Sequence, residues 1–105
     1  MTPPPDQQVR HLLIVGRVQG VGFRWFSRER ARRRGLSGWV QNRSDGSVEI
    51  MVAGSSEVLD NFVEELLRGP DGATVDRVQA LGEPHDFRPE HPLPYPFQII
   101  KQQPS

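Results

Sequence analysis

Apolar residues in this chain change their spacing several times, and each change marks an element. Val9-Arg10-His11-Leu12-Leu13-Ile14-Val15 is a β-branched, mostly apolar run of the kind that forms a strand buried on at least one face. Over residues 23–34 the spacing lengthens to three and four, so Phe23, Phe26, Ser27 and Ala31 form the inner stripe of a predicted helix that Gly35 closes. Trp25 falls off that stripe, which makes it either a surface residue or a wall beside the preceding loop. Residues 36–42 and 47–53 read as two strands joined by Arg43-Ser44-Asp45-Gly46, a hairpin turn in which glycine takes the left-handed position and aspartate tolerates the bend. Strand alternation places Val40 and Asn42 on one face and Trp39 and Gln41 on the other.

A second helix is predicted from a serine cap at Ser55 or Ser56 to Arg68, stopped by Gly69-Pro70, with Val58, Leu59, Phe62, Val63, Leu66 and Leu67 as its apolar stripe. A fourth strand follows over 75–81 and a short fifth over 97–101. The five prolines within 83–96 predict a surface loop that stays out of the sheet. The order strand, helix, strand, strand, helix, strand predicts an α+β chain: a ferredoxin-like split βαβ sandwich, its antiparallel sheet covered on one face by two helices. Residues 1–8 and 102–105 are expected to be tails, the first of them disordered.

The segment between the first strand and the first helix carries the candidate chemistry. Gly16-Arg17-Val18-Gln19-Gly20-Val21-Gly22-Phe23-Arg24 places three glycines and an arginine where a strand hands over to a helix. Glycine lets the backbone come close to a ligand, and successive N–H groups in such a loop converge on one point. The helix start adds unpaired N–H groups and the positive end of its dipole. Arg24, in the first turn, can grip a phosphate through two N–H bonds at once. The loop is therefore either a tight turn or a cradle for an oxyanion or phosphoryl group. It lacks the Gly-Lys-Ser/Thr ending of a P-loop and the glycine spacing of a dinucleotide fold.

Composition narrows the classes further. The 105 residues suit one domain with a modest core, and no run approaches the roughly 18 apolar residues of a membrane span. The chain starts with neither a basic stretch nor an apolar one, so no signal peptide is expected and the cytoplasm is the expected location. Without cysteine there is no disulfide, thiolate nucleophile or cysteine-bound metal, and His11, His85 and His91 lack a convergent metal spacing. Net charge is zero but unevenly spread: residues 1–43 carry +7 and residues 44–105 carry −7. Arg28, Arg30, Arg32, Arg33 and Arg34 make up much of the basic half, as a solvated helix face, a field that steers anions, or a surface for nucleic acid.

Two segments together resemble the acylphosphatase family: the glycine loop ending in Phe23-Arg24, and Gly38-Trp39-Val40-Gln41-Asn42 followed by Asp45-Gly46-Ser47-Val48. The resemblance covers residues 9–101 and makes them one acylphosphatase-like domain, with Gly22 as in the bacterial and archaeal members. It implies an enzyme that hydrolyses the carboxyl–phosphate anhydride of acyl phosphates to a carboxylate and inorganic phosphate, with no metal or other cofactor. The family's catalytic residues fall on Arg24, which would bind the phosphoryl group, and Asn42, which would orient the attacking water. Backbone amides of Gln19, Gly20, Val21, Gly22 and Phe23 would complete the phosphate site. The resemblance implies a small-molecule acyl phosphate as partner, with inorganic phosphate as product and competitive inhibitor. A monomer without nucleic-acid or membrane partners is expected.

Two other classes share parts of this pattern. Hydrogenase-maturation carbamoyltransferases carry an acylphosphatase-like domain at their N-terminus, which would make this chain a binding module. RRM domains share the topology, but their aromatic motif lies on a central strand, whereas Gly22-Phe23-Arg24-Trp25-Phe26 opens a helix.

Overall fold

The central strand pair is built from two runs that carry valine and isoleucine, β1 (Gln7–Arg17) and β3 (Val48–Ser55), which pair antiparallel from Gln7 opposite Ser55 to Ile14 opposite Val48. The computed structural model describes residues 7–83, 85–86 and 92–101. Around the pair, β2 (Ser37–Asn42) adds to β3 and β4 (Thr74–Ala80) adds to β1, giving the order β4-β1-β3-β2 with α1 (Phe23–Arg33) and α2 (Ser56–Arg68) in the crossovers. This is the split βαβ arrangement that the element order predicts.

Alternation along the strands decides which face the helices cover. Leu12, Ile14, Val40, Val48, Ile50 and Val52 point to one side, where Phe23 and Ala31 of α1 and Leu59, Phe62 and Leu66 of α2 bury them. Val58 and Val63 join that core in part, while Leu67 stays half-exposed at the edge of its stripe. Ser55 caps α2 by accepting a hydrogen bond from the Val58 N–H at 3.3 Å. Buried Ser27 donates to the Phe23 carbonyl at 2.8 Å, so its hydroxyl is satisfied inside α1. Among the described residues, no helix is long and apolar enough to cross a membrane.

The margins of the sheet depart from the sequence-based expectation. The first strand starts at Gln7, two residues before the apolar run begins, because Gln7 and Gln8 pair with Ser55 and Gly54. The sheet is not wholly antiparallel: β6 (Gln98–Ile99) lies parallel to β2, and its run is shorter than 97–101. A long connection, unlike a hairpin, leaves strand direction free. Buried Phe97 anchors this strand in the core, and the Ile100 N–H donates to the Val40 carbonyl at 2.9 Å. The segment over 83–96 does enter the sheet at β5 (His85–Asp86), which pairs with Gln8 and Val9 along β1 beyond the end of β4. Two residues without a proline between them are enough to donate to a strand edge. Pro94, in the same segment, is held to β2: its carbonyl accepts from the Gly38 N–H at 2.8 Å. The expected N-terminal tail over 1–8 thus gives up Gln7 and Gln8 to β1, and its residues 1–6, the tail at 102–105, Pro84, and the part of the proline-rich loop over 87–91, His91 included, lie outside the described residues.

The face away from the helices carries a polar cluster. Glu49 lies between His11, 2.5 Å from its Nε2, and Gln41, whose Nε2 donates at 2.8 Å, with Arg43 3.9 Å away. Trp39 meets the His11 ring edge-on at 6.4 Å. Burial alone would raise the Glu49 carboxyl, but the hydrogen bonds from Gln41 and His11 and the charges of His11 and Arg43 together hold it below its ordinary value of 4.5. A lowered carboxylate stabilises the fold above its unfolded pKa, and that contribution is lost as pH falls through the folded one. Glu49→Gln is therefore expected to flatten the loss of melting temperature between pH 5 and pH 3, roughly the range in which carboxylates titrate; an acid profile identical to the parent's would contradict this.

Candidate functional site

The glycine loop departs from β1 at a bulge, where the pairing register with β4 shifts between Val15 and Gly16. Val18 is then buried in the core, so the chain turns back over the sheet before reaching α1. Gly20 and Gly22 take φ values of 77° and 79°, a region open to glycine and strained for other residues, and a Cβ at either would meet nothing within 4 Å. The backbone conformation, not lack of room, thus requires glycine here. Gly22 is also the residue that starts α1, with no side-chain cap and no acidic residue in the first turn. The first-turn N–H groups therefore keep their positive character, and Arg24 adds a full charge beside them.

These groups open onto one cavity of about 230 Å³, lined by Val18, Gly20, Gly22, Phe23, Arg24, Trp25, Asn42 and Ile99. Arg24 is exposed and pairs with no carboxylate among the described residues. Five of the residues expected at the site (Gly20, Gly22, Phe23, Arg24 and Asn42) come together on this cavity, although they arise from the loop, the start of α1 and the far end of β2. Gln19 and Val21 do not line it: Val21 packs against the core, and the Gln19 side chain turns towards the β2–β3 hairpin.

That turn gives Gln19 a positioning role. Its Nε2 donates to the Arg43 carbonyl at 2.7 Å and to the Ser47 carbonyl at 2.9 Å, the two carbonyls at the mouth of the hairpin that follows Asn42. The same carbonyls accept from Gly46 N–H at 3.2 Å and Arg43 N–H at 2.9 Å, so the hairpin closes on itself and on the loop together. Asp45 finishes the turn by accepting from the Ser47 hydroxyl at 2.5 Å and the Ser47 N–H at 3.0 Å. Those bonds, the hydroxyl's first, hold its carboxyl below the usual range. Asp45 is thus turn chemistry, as its place before Gly46 predicts.

Three lining residues carry no clear signal in the chain. Trp25 is both of its expected alternatives at once, 58% exposed and a wall of the cavity. Ile99 arrives from the two-residue strand β6, whose pairing partner cannot be read from its sequence. Val18 had a weaker clue, as one of two apolar residues, with Val21, in a polar and glycine-rich loop.

The chain is similar to known proteins along most of its length. The acylphosphatase family profile matches residues 10–90. A relative named acylphosphatase from Koribacter versatilis (strain Ellin345) is 47% identical over 72 residues, which span 69% of this chain and 66% of that protein. The crystal structure of acylphosphatase from Bacillus subtilis superposes with a TM-score of 0.77 at 36% identity, covering 90% of this chain and 98% of that one. Full-length HypF, at 26% identity and a TM-score of 0.73, matches 96% of this chain but only 13% of its own length.

Gln19→Leu removes two hydrogen bonds, each worth about 1 kcal/mol, that tie the loop to the hairpin. The expected result is a loss of about 1–2 kcal/mol in urea denaturation; a variant as stable as the parent would mean that the side chain does not brace the site.

Proposed function

Because the chain belongs to the acylphosphatase family, a family of hydrolases, we propose that it cleaves acyl phosphates to a carboxylate and inorganic phosphate, with Arg24 and Asn42 as its catalytic residues. The single observation that supports this most is the meeting of Arg24, the uncapped start of α1 and Asn42 on one small cavity. A phosphoryl group in that cavity carries its charge on oxygens that face N–H donors of the loop and the Arg24 guanidinium. The amides of Gly20, Gly22 and Phe23, which line the cavity, fix its position, and the bracing by Gln19 keeps them in place. Asn42 offers an acceptor and a donor on an uncharged group, suited to orienting a water opposite the leaving carboxylate.

In the proposed step the water oxygen forms a bond to phosphorus as the bond from phosphorus to the acyl oxygen breaks, its electron pair leaving with the carboxylate. The water's proton passes to a phosphoryl oxygen. A carboxylate with a pKa near 4 leaves without help from an acid, so the reaction as written assigns no role to histidine, glutamate or metal. The product phosphate occupies the same donors and competes with substrate. A monomer acting in the cytoplasm fits this reading.

The likeness to HypF favours a second reading, in which the same cavity recognises a phosphoryl group without turning it over. Kinetics with benzoyl phosphate in excess EDTA separate the two. Asn42→Ala is expected to lower kcat by roughly 10²–10³-fold while phosphate still competes, and Arg24→Ala to lose phosphate affinity and turnover together. Equal behaviour of the two variants would contradict the division of roles, and a folded parent that binds phosphate without hydrolysing benzoyl phosphate would favour the second reading.

A further inference from the structure

A second concavity, larger than the cavity at Arg24, lies between α1 and the C-terminal end of α2. It measures about 550 Å³ and is lined by Phe26, Arg30, Arg33, Arg34, Glu65, Arg68 and Gly69. None of these residues lines the cavity at Arg24. Its walls hold four guanidinium groups and one carboxylate. Glu65 takes Arg30 at 3.3 Å and Arg34 at closer range, while Arg33 and Arg68 are exposed and meet no acid among the described residues. The Arg30 guanidinium lies 4.9 Å above the Phe26 ring.

Arginines in a last helical turn complement the helix dipole, which accounts for some of this charge. It does not account for basic side chains from two helices converging on one hollow, since like charges brought together oppose folding. The acidic half of the chain supplies only Glu65 to this groove. A planar fork on each wall suits phosphate oxygens better than single-point contacts do. Four guanidinium groups from two helices around a hollow of about 550 Å³ suit an anion with several phosphoryl groups rather than one orthophosphate.

We propose that the groove between α1 and α2 binds an oligophosphate, an anion of two or more linked phosphoryl groups, either free or carried by a nucleotide. The binding is independent of the hydrolytic site and rests on Arg33 and Arg68, with Arg30 and Arg34 as supporting charges. Salt weakens it, because the groove is open to solvent.

The test is calorimetric titration of the full chain bearing Arg24→Ala, which silences the cradle, with sodium tripolyphosphate, ATP and orthophosphate at low ionic strength. Tripolyphosphate is expected to bind at least tenfold more tightly than orthophosphate, and the added pair Arg33→Ser and Arg68→Ser to weaken it at least tenfold. Both substitutions are at exposed positions, and the same pair in the otherwise unaltered chain is expected to leave benzoyl phosphate turnover unchanged. Tripolyphosphate binding as tightly as ATP would identify the free anion as a sufficient ligand, and tighter ATP binding would favour the nucleotide source. Affinity for orthophosphate equal to that for both tripolyphosphate and ATP, or an affinity unmoved by the paired substitutions, would overturn the proposal.

Discussion

Val48 sets the register on which the site depends. On β3 it pairs with Ile14 of β1 on one side and with Asn42 of β2 on the other, so one buried valine brings the end of the first strand and the end of the second to the same level of the sheet. The chain leaves β1 three residues after Ile14 and enters the glycine loop, while it leaves β2 at Asn42. A slip of one residue between β2 and β3 would turn Asn42 to the face away from the helices and remove it from the cavity. Burial of Ile14, Val40, Val48 and Ile50 under the helices opposes that slip, because it would expose a whole row of β-branched side chains. Gln19 then fixes what the register leaves free, the distance between loop and hairpin. Packing in the core and orientation at the site are in this sense one constraint.

Charge is handled differently at the two ends of α1. At its start there is no acidic residue and no side-chain cap, so the dipole and Arg24 act on whatever enters the cavity. At its end the arginines are partly matched, by Glu65 of α2 and by the Phe97 carbonyl, which accepts from Arg32 at 2.9 Å. The opposite charges of the two halves of the chain meet mainly through such contacts, as at Arg10 and Asp60, 2.8 Å apart. Folding neutralises the imbalance locally and leaves it standing where anions would be received.

Most of the frame was legible in the chain because it rests on local signals. The alternation of Val40 with Trp39, the Ser55 cap and the Asp45-Gly46 turn each decide one feature from a few neighbouring residues, and all three appear in the fold. The meeting of Gly20, Gly22 and Arg24 on one cavity was legible for the same reason, since they are close in sequence as well as in space. What was not legible depends on distant partners. β6 has two residues and joins β2 in parallel, a choice made by the burial of Phe97 and not by the strand itself, and Ile99 reaches the cavity only through it. β5 pairs within a segment whose prolines argue against any strand. The Gln19 side chain looks like any polar loop residue until its two acceptors, 24 and 28 positions away, are in place.

The central claim is that the cavity at Arg24 holds phosphorus, and not the acyl carbon, in line with a water on Asn42. Hydrolysis of benzoyl phosphate in ¹⁸O-labelled water, run at an enzyme level that outpaces the spontaneous reaction, tests it directly by ³¹P resonance and mass analysis of the products. The account predicts one labelled oxygen in inorganic phosphate and none in benzoate. Label in benzoate would mean that water attacks the carbonyl, and the assignment of the cradle to the phosphoryl group would fail.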